Sequence, residues 1–242
     1  MQPTSAVFLV FSVLFSAAVA FAGYSVGAGL LSIGQEVRTV NVKGLAERIV
    51  KSDSAEARVY FQLSGNDKDA LYGEIMSRQA PYIVQLKELG FTESEIIPGD
   101  FDVSQASADE MKADPARLRY TLSTMLTMTT ADVDKVKSLI DQRGAMIVDS
   151  MGFVYAVRGS YKFNALSTIR ADMIAEATVD ARKAALQFAA DSNSHVGAIQ
   201  SASQGVFSIS DPDNNRDYAY DSGDSIDKKV RVVTTVTYFL KD

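Results

Sequence analysis

The sequence predicts an α+β protein, an antiparallel or mixed sheet with helices packed on it, preceded by one apolar N-terminal segment. Three observations carry this. "RLRYTLSTMLTM" alternates with period two, placing Tyr120, Leu122, Thr124, Leu126 and Met128 on one face of a strand and Thr121, Ser123, Met125 and Thr127 on the other. Leu166, Ile169, Met173, Ala177, Ala181, Ala184 and Phe188 recur three and four apart, the stripe of a core-facing helix from about Ala165 to Asp191. "LKELGFTESEIIPGDFDVS" and "LIDQRGAMIVDSMGFVYAV" each run from a helix end through glycine into a β-rich stretch, so a strand-helix-strand unit is expected twice.

Along the chain, Thr39 to Lys43 and Arg58 to Leu63 are β-branched or aromatic runs, and Gly44 with the polar residues after it suggests a bend joining them as a hairpin. Asn66 is positioned to cap a helix through Leu71, Ile75, Ile83 and Leu86 that stops at Gly90, with Pro81 expected to kink or split it. A strand is expected near Ile96 to Val103, then the alternating strand. Thr130 is expected to cap a helix carrying Val133, Val136, Leu139 and Ile140 that ends at Gly144 and leads into "GFVYAV". After the long helix, Val196 to Ile209 has β character. A final strand from Val230 to Leu240, with Val232, Thr234, Val236 and Tyr238 on one face, is expected to close the sheet.

Composition excludes several functions. The 242 residues contain no cysteine, which removes thiolate nucleophiles, zinc-thiolate sites and disulfides. Thirty carboxylates against 24 Lys and Arg give a net charge of −6 without a basic stripe, so nucleic-acid binding, which needs clustered cations, is not expected.

The N-terminus is uncharged from Ala6 to Ile33, longer than the roughly 20 residues a helix needs to cross a bilayer. We read residues 1–35 as a signal anchor or transmembrane segment and 36–242 as the main domain. Ala18-Val19-Ala20 and Ala20-Phe21-Ala22 offer small-x-small cleavage sites, but the apolar stretch outruns a usual signal-peptide core and no Lys or Arg precedes it, which favours retention over cleavage. Gly23 and Gly27 have the spacing of a helix-packing motif, more simply explained as a glycine-rich exit from the membrane with Tyr24 at the interface. Gly27-Ala28-Gly29 lacks the third glycine and preceding strand of a dinucleotide site. Arg38, Lys43, Arg48 and Lys51 follow the segment, which by charge alone would keep the domain in the cytoplasm, although long domains override that bias.

Candidate chemistry is sparse. His195 is the single histidine; Ser192, Ser194 and Asp191 lie beside it, but no G-x-S-x-G elbow occurs, and a histidine just past a helix is explained by the exposed carbonyls at the helix end. Asp172, Glu176 and Asp180 stack four apart on the long helix, a like-charge row that a basic patch on another subunit would neutralise and that Arg170 and Lys183 otherwise screen; we take these three as the interaction candidates. In "DPDNNRDYAYDSGDSID", Asp211, Asp213 and Asp217 are weak metal candidates. The start imitates a calcium loop, but Arg216 and Ser222 stand where that loop needs glycine and glutamate, so a long hairpin loop is the simpler expectation.

The segments "TVNVKGLAERIVKSDSAEARVYFQLSG", "ELGFTESEIIPGDFDVS", "RYTLSTMLTMTTADVDKVKSLI", "ARKAALQFAADSNSHVGAIQSASQGVFSI" and "VRVVTTVTYFLKD" together resemble, in this order, the SIMPL-domain family of bacterial periplasmic and envelope proteins. The most specific piece is the Ala181-Arg182 helix leading through Gly197 to Gln204-Gly205-Val206-Phe207. The resemblance implies an exported α+β domain, homo-oligomers that in some members are ring- or channel-like, and in some a link to oxidative or envelope stress. It implies no catalytic residues and no cofactor, so none is carried over, and it outweighs the charge-based orientation in favour of a periplasmic domain on an inner-membrane anchor. Three function classes follow: a non-enzymatic envelope protein acting through self-assembly, a ligand- or partner-binding module, and, third, a hydrolase.

Overall fold

The structure, a computed structural model, describes residues 15–27, 38–213 and 221–241. Residues 15–27 are helical (α1). The domain then runs β1 (Thr39–Lys51), β2 (Ser54–Gly65), α2 (Lys68–Glu88), β3 (Ile96–Pro98), β4 (Asp102–Gln105), α3 (Ala108–Ala113), β5 (Tyr120–Thr130), α4 (Val133–Asp149), β6 (Val154–Lys162), α5 (Leu166–Asp191), β7 (His195–Gln204), β8 (Ser208–Ser210) and β9 (Asp227–Lys241). The α+β class stands, and every described strand pairing is antiparallel.

The strands divide between two sheets. The first has the order β3-β5-β2-β6, with β4 also on β5. It contains two strand-helix-strand units, β2-α2-β3 and β5-α4-β6, which interleave as a split β-α-β arrangement. The predicted alternation of β5 holds: Leu122, Thr124, Leu126, Met128 and Thr130 are buried, and Leu122, Leu126 and Met128 pack with Val59, Phe61, Leu71, Ile75, Leu86, Val136 and Leu139 under α2 and α4. The strand expected near Ile96 to Val103 forms as two short pieces, both on β5.

The second sheet has the order β1-β9-β7, with β8 also on β9, and α5 lies across it. The expected hairpin between β1 and β2 therefore does not form. β1 pairs with β9, almost 200 positions away, and the chain crosses to the other sheet at Ser52 and Asp53. β9 is the centre of its sheet. Its alternation is as read, with Val230, Val232, Thr234, Val236 and Tyr238 buried.

Helix boundaries moved for local reasons. The cap of α2 is Asp67, whose carboxylate accepts from the Asp69 and Ala70 amides, while Asn66 instead accepts from the Arg119 amide. Pro81 does not split α2: it and Ser77, whose carbonyl it leaves without a helical donor, are both exposed, so the freed carbonyl lies on the solvent side of the helix. Asp132 rather than Thr130 caps α4, with the Thr130 hydroxyl accepting from the Asp132 amide, and the helix passes through Gly144 to end at Ser150.

On α5 the buried row is Met173, Ala177, Ala181, Ala185 and Ala189, while Phe188 is 59% exposed. Residues four apart advance about 40° around a helix, so this row winds about α5 as the helix follows a twisted sheet and leaves the expected Phe188 outside. The small residues bring α5 so close to β1 that a Cβ on Gly44 would overlap the Ala177 carbonyl oxygen and the Ala181 amide nitrogen. Gly44 is thus the point of helix contact within a continuous strand and not a bend.

Asp53 ties the crossover to α5. Ala165, at the start of that helix, has no side-chain cap of its own; the Asp53 carboxylate accepts from the Asn164 amide at 2.9 Å and the Ala165 amide at 2.7 Å. Asp53→Ala is expected to lower stability by about 1–2 kcal/mol, the value of a lost helix cap, measured as a reduced urea midpoint. Asp53→Asn should retain part of it, because the amide oxygen still accepts.

Candidate functional site

The most open backbone in the second sheet is the outer edge of β7. Each of its residues from His195 to Gln204 is exposed or half-buried, and the strand contains no Asp, Glu, Lys, Arg or Pro. Natural edge strands are commonly guarded by such residues, by bulges or by a covering element. Here register shifts disturb pairing with β9 between Val196 and Ser201, but Ser201 to Gln204 pair regularly opposite Thr237 to Thr234. Along that regular stretch the amide and carbonyl groups directed away from β9 face no other strand of the sheet.

The opposite edge of the same sheet, β1, is guarded by the carboxylate row of α5. Asp180 accepts from the Leu45 amide at 2.9 Å, and Glu176 receives the Arg48 guanidinium at 2.6 Å. Asp172 is exposed one turn earlier. The like-charge row read from the sequence is thus engaged at two of its three positions by β1 of the same chain, Glu176 by a cation and Asp180 by a backbone donor. Arg170 and Lys183 are not the partners of those two carboxylates; Arg170 lies over the Phe207 ring.

His195 is the first residue of β7, exposed and opposite Lys241. The turn that ends α5 is made before it. Asn193 has φ 51°, and the Ser192 hydroxyl donates to the Phe188 and Ala189 carbonyls. Serine therefore satisfies the helix end in place of the histidine that the sequence suggests. Ser192 and Ser194 bond to one another, and neither bonds to His195.

Asp211 lies at one end of the acidic loop, and its oxygens are occupied. It accepts from the Ser222 hydroxyl at 2.7 Å, the Ser222 amide at 3.1 Å and the Lys228 ammonium at 3.1 Å, and Asp221 receives the same ammonium at 2.5 Å. Burial pushes the Asp211 carboxyl up, but the Ser222 donors and Lys228 outweigh it and hold it below the usual range. Asp213 is exposed, and Asp217 lies outside the described residues. Among the described residues no group of three or more potential ligands is arranged for a metal ion.

Sequence reasoning missed Lys228, which is fully buried. The signal was present: Lys228 is in phase with Val230, Val232 and Val236, so period two already placed it on the covered face of β9. Two concave regions were also unforeseen in position. One, of about 630 Å³, lies between α2 and α4, lined by Pro81, Tyr82, Met146, Met151 and Phe153 and also by Arg78 and Asp149. The other lies around the outer edge of β6.

No curated protein matches the chain. The family model of SIMPL, a protein of unknown function (DUF541), matches residues 40–238, spanning the domain from the first strand to the last. That match covers both sheets and all the helices packed on them, so the chain belongs to the SIMPL (DUF541) family.

Proposed function

We propose that this is a non-enzymatic envelope protein that acts through self-assembly, its main domain in the periplasm and its N-terminal segment in the inner membrane, with a role in envelope or oxidative stress. The observation that carries the assembly is the unguarded β7 edge, whose regular stretch offers a second copy a row of strand hydrogen bonds without a charge to bury.

The membrane part of the proposal draws support from α1, where Phe15, Val19, Phe21, Tyr24 and Val26 are all more than half exposed. Among the described residues no helix is long and apolar enough to cross a membrane; residues 1–14 and 28–37 of the proposed segment and its boundary lie outside them.

The test is native mass by light scattering, with N-terminal sequencing, on protein purified from membranes. The expected result is a retained N-terminus and a mass several times that of one chain. Ser203→Lys, on the sheet face away from α5, should reduce that mass to the monomer without changing the circular dichroism spectrum. An unchanged large mass in the folded variant would remove β7 as the contact, and a monomeric wild type would remove self-assembly.

The second reading, a ligand- or partner-binding module, is favoured by the groove between α2 and α4. Its apolar lining and volume are those of small-molecule sites, and a strictly monomeric wild type would promote it.

A further inference from the structure

The outer edge of β6 collects positive charge in a chain that is acidic as a whole. β2 and β6 pair so that Arg58 stands directly opposite Arg158, and both side chains are exposed on the sheet face away from α2 and α4. Like charges directly opposite across antiparallel strands repel. Arg58 is neutralised on its own strand by Glu56 at 2.6 Å, whereas Arg158 rests over the Tyr60 ring, 5.8 Å from its centroid.

A concavity of about 650 Å³ wraps this edge, and Arg143 of α4 and Lys162 of β6 line it as well. Among the described residues, the acidic ones in its lining are Glu56 and Asp224. Four cations thus face two carboxylates, one of them already engaged, in a protein of net charge −6. Among the described residues Arg143, Arg158 and Lys162 form no ion pair.

The backbone adds donors. The Tyr161 amide is directed away from β2, because it donates to the Gly223 carbonyl at 2.7 Å. In an antiparallel ladder the direction alternates, so the amide of Gly159 also points out from the edge, with Ile140 of α4 packed against its Cα.

We infer that this basin is a binding site for a small phosphate-class anion, held between the Arg158 and Arg143 guanidiniums with Lys162 and the outward edge amide as further donors. Guanidinium forks match phosphate oxygens in pairs, and a bound dianion would convert the Arg58–Arg158 repulsion into a shared attraction. The volume exceeds that of a bare phosphate and leaves room, beside Tyr60 and Val157, for an organic remainder. This site is separate from the β7 edge, so its failure leaves the assembly proposal untouched.

The test is thermal melting and isothermal titration of the full-length protein at low ionic strength, with inorganic phosphate, with glycerol phosphate, and with sodium chloride matched for ionic strength. Phosphate is expected to raise Tm by about 3–5 °C over the chloride control at a concentration tenfold above Kd. A larger rise with glycerol phosphate identifies an ester as the ligand, and an equal one identifies the free anion.

Arg158→Thr, which removes the repulsion with a strand-favouring residue, should melt no lower than wild type in chloride and should lose the phosphate response. Arg143→Gln, exposed on α4, should weaken binding about tenfold or more, as loss of a charge-assisted pair does. The inference is overturned if wild type responds to neither phosphate compound beyond chloride, or if both variants keep the full response. It is also overturned if an acidic peptide binds at these arginines while phosphate does not.

Discussion

Gly44→Ala is expected to destabilise the domain by about 3 kcal/mol or more, measured as a fall in the urea midpoint with the loss concentrated in the β1-β9-β7 sheet. The added methyl would meet the Ala181 Cβ at 2.8 Å and overlap backbone atoms of α5 outright. Ordinary overpacking costs about 1–3 kcal/mol because side chains can shift, but here the obstacle is helix backbone, so α5 must move as a unit. The opposing gain, from replacing glycine within a strand, is only about 0.5–1 kcal/mol. Displacement of α5 also weakens the Asp180 and Glu176 contacts to β1, so hydrogen exchange at the Leu45 amide should accelerate in the variant. Wild-type stability in Gly44→Ala would show that α5 does not seat directly on β1.

Lys228→Ala has the second large expected effect, about 3–5 kcal/mol. The ammonium is fully buried between Asp211 and Asp221, and truncation to alanine removes both of its ion pairs together with the apolar stem packed on the covered face of β9. Lys228→Met separates the two contributions of this side chain. It keeps the apolar stem on the covered face of β9 and removes only the charge, and because the Asp211 and Asp221 side chains are 22% and 28% exposed, water reaches them. Its expected cost is therefore smaller, about 1–3 kcal/mol.

The pH dependence follows from Asp211. Its folded carboxyl titrates below the ordinary 3.8, so the stability it contributes is present above 3.8 and is lost as pH falls on through the lower, folded value. Urea midpoints of wild type should therefore decline below about pH 4 more steeply than those of Asp211→Asn. Equal stability of Lys228→Ala and wild type would show that this triad contributes nothing to the fold.

Both predictions concern residues whose roles were not legible locally. Gly44 sits among polar residues that read as a bend, and nothing within ten residues of it reveals that Ala177 and Ala181 press upon it. Lys228 was within reach of the period-two argument, but a charged residue at the end of a strand reads first as solvent-facing, and its two partners lie 17 and 7 residues upstream. Arg58 and Arg158 each look like ordinary outward strand residues; their opposition exists only once β2 and β6 are in register. The carboxylate row was visible on α5, yet the groups that engage it, Arg48 and the Leu45 amide, come from a strand more than 120 positions away.

What the chain determined by itself was local and periodic: which faces of β5 and β9 are buried, where α5 runs, and that its middle is small enough for close packing. These follow from side-chain size and polarity repeating at the period of each element, and they survive any arrangement of the elements. Tertiary structure decided the rest: the division of strands between two sheets, the exposure of Phe188, the opening of the β7 edge and the pairing of charges across β2 and β6. Each of these depends on which distant strand a given strand meets and in what register, and pairing free energies of similar size for many candidate partners leave that choice to the packing of the whole domain.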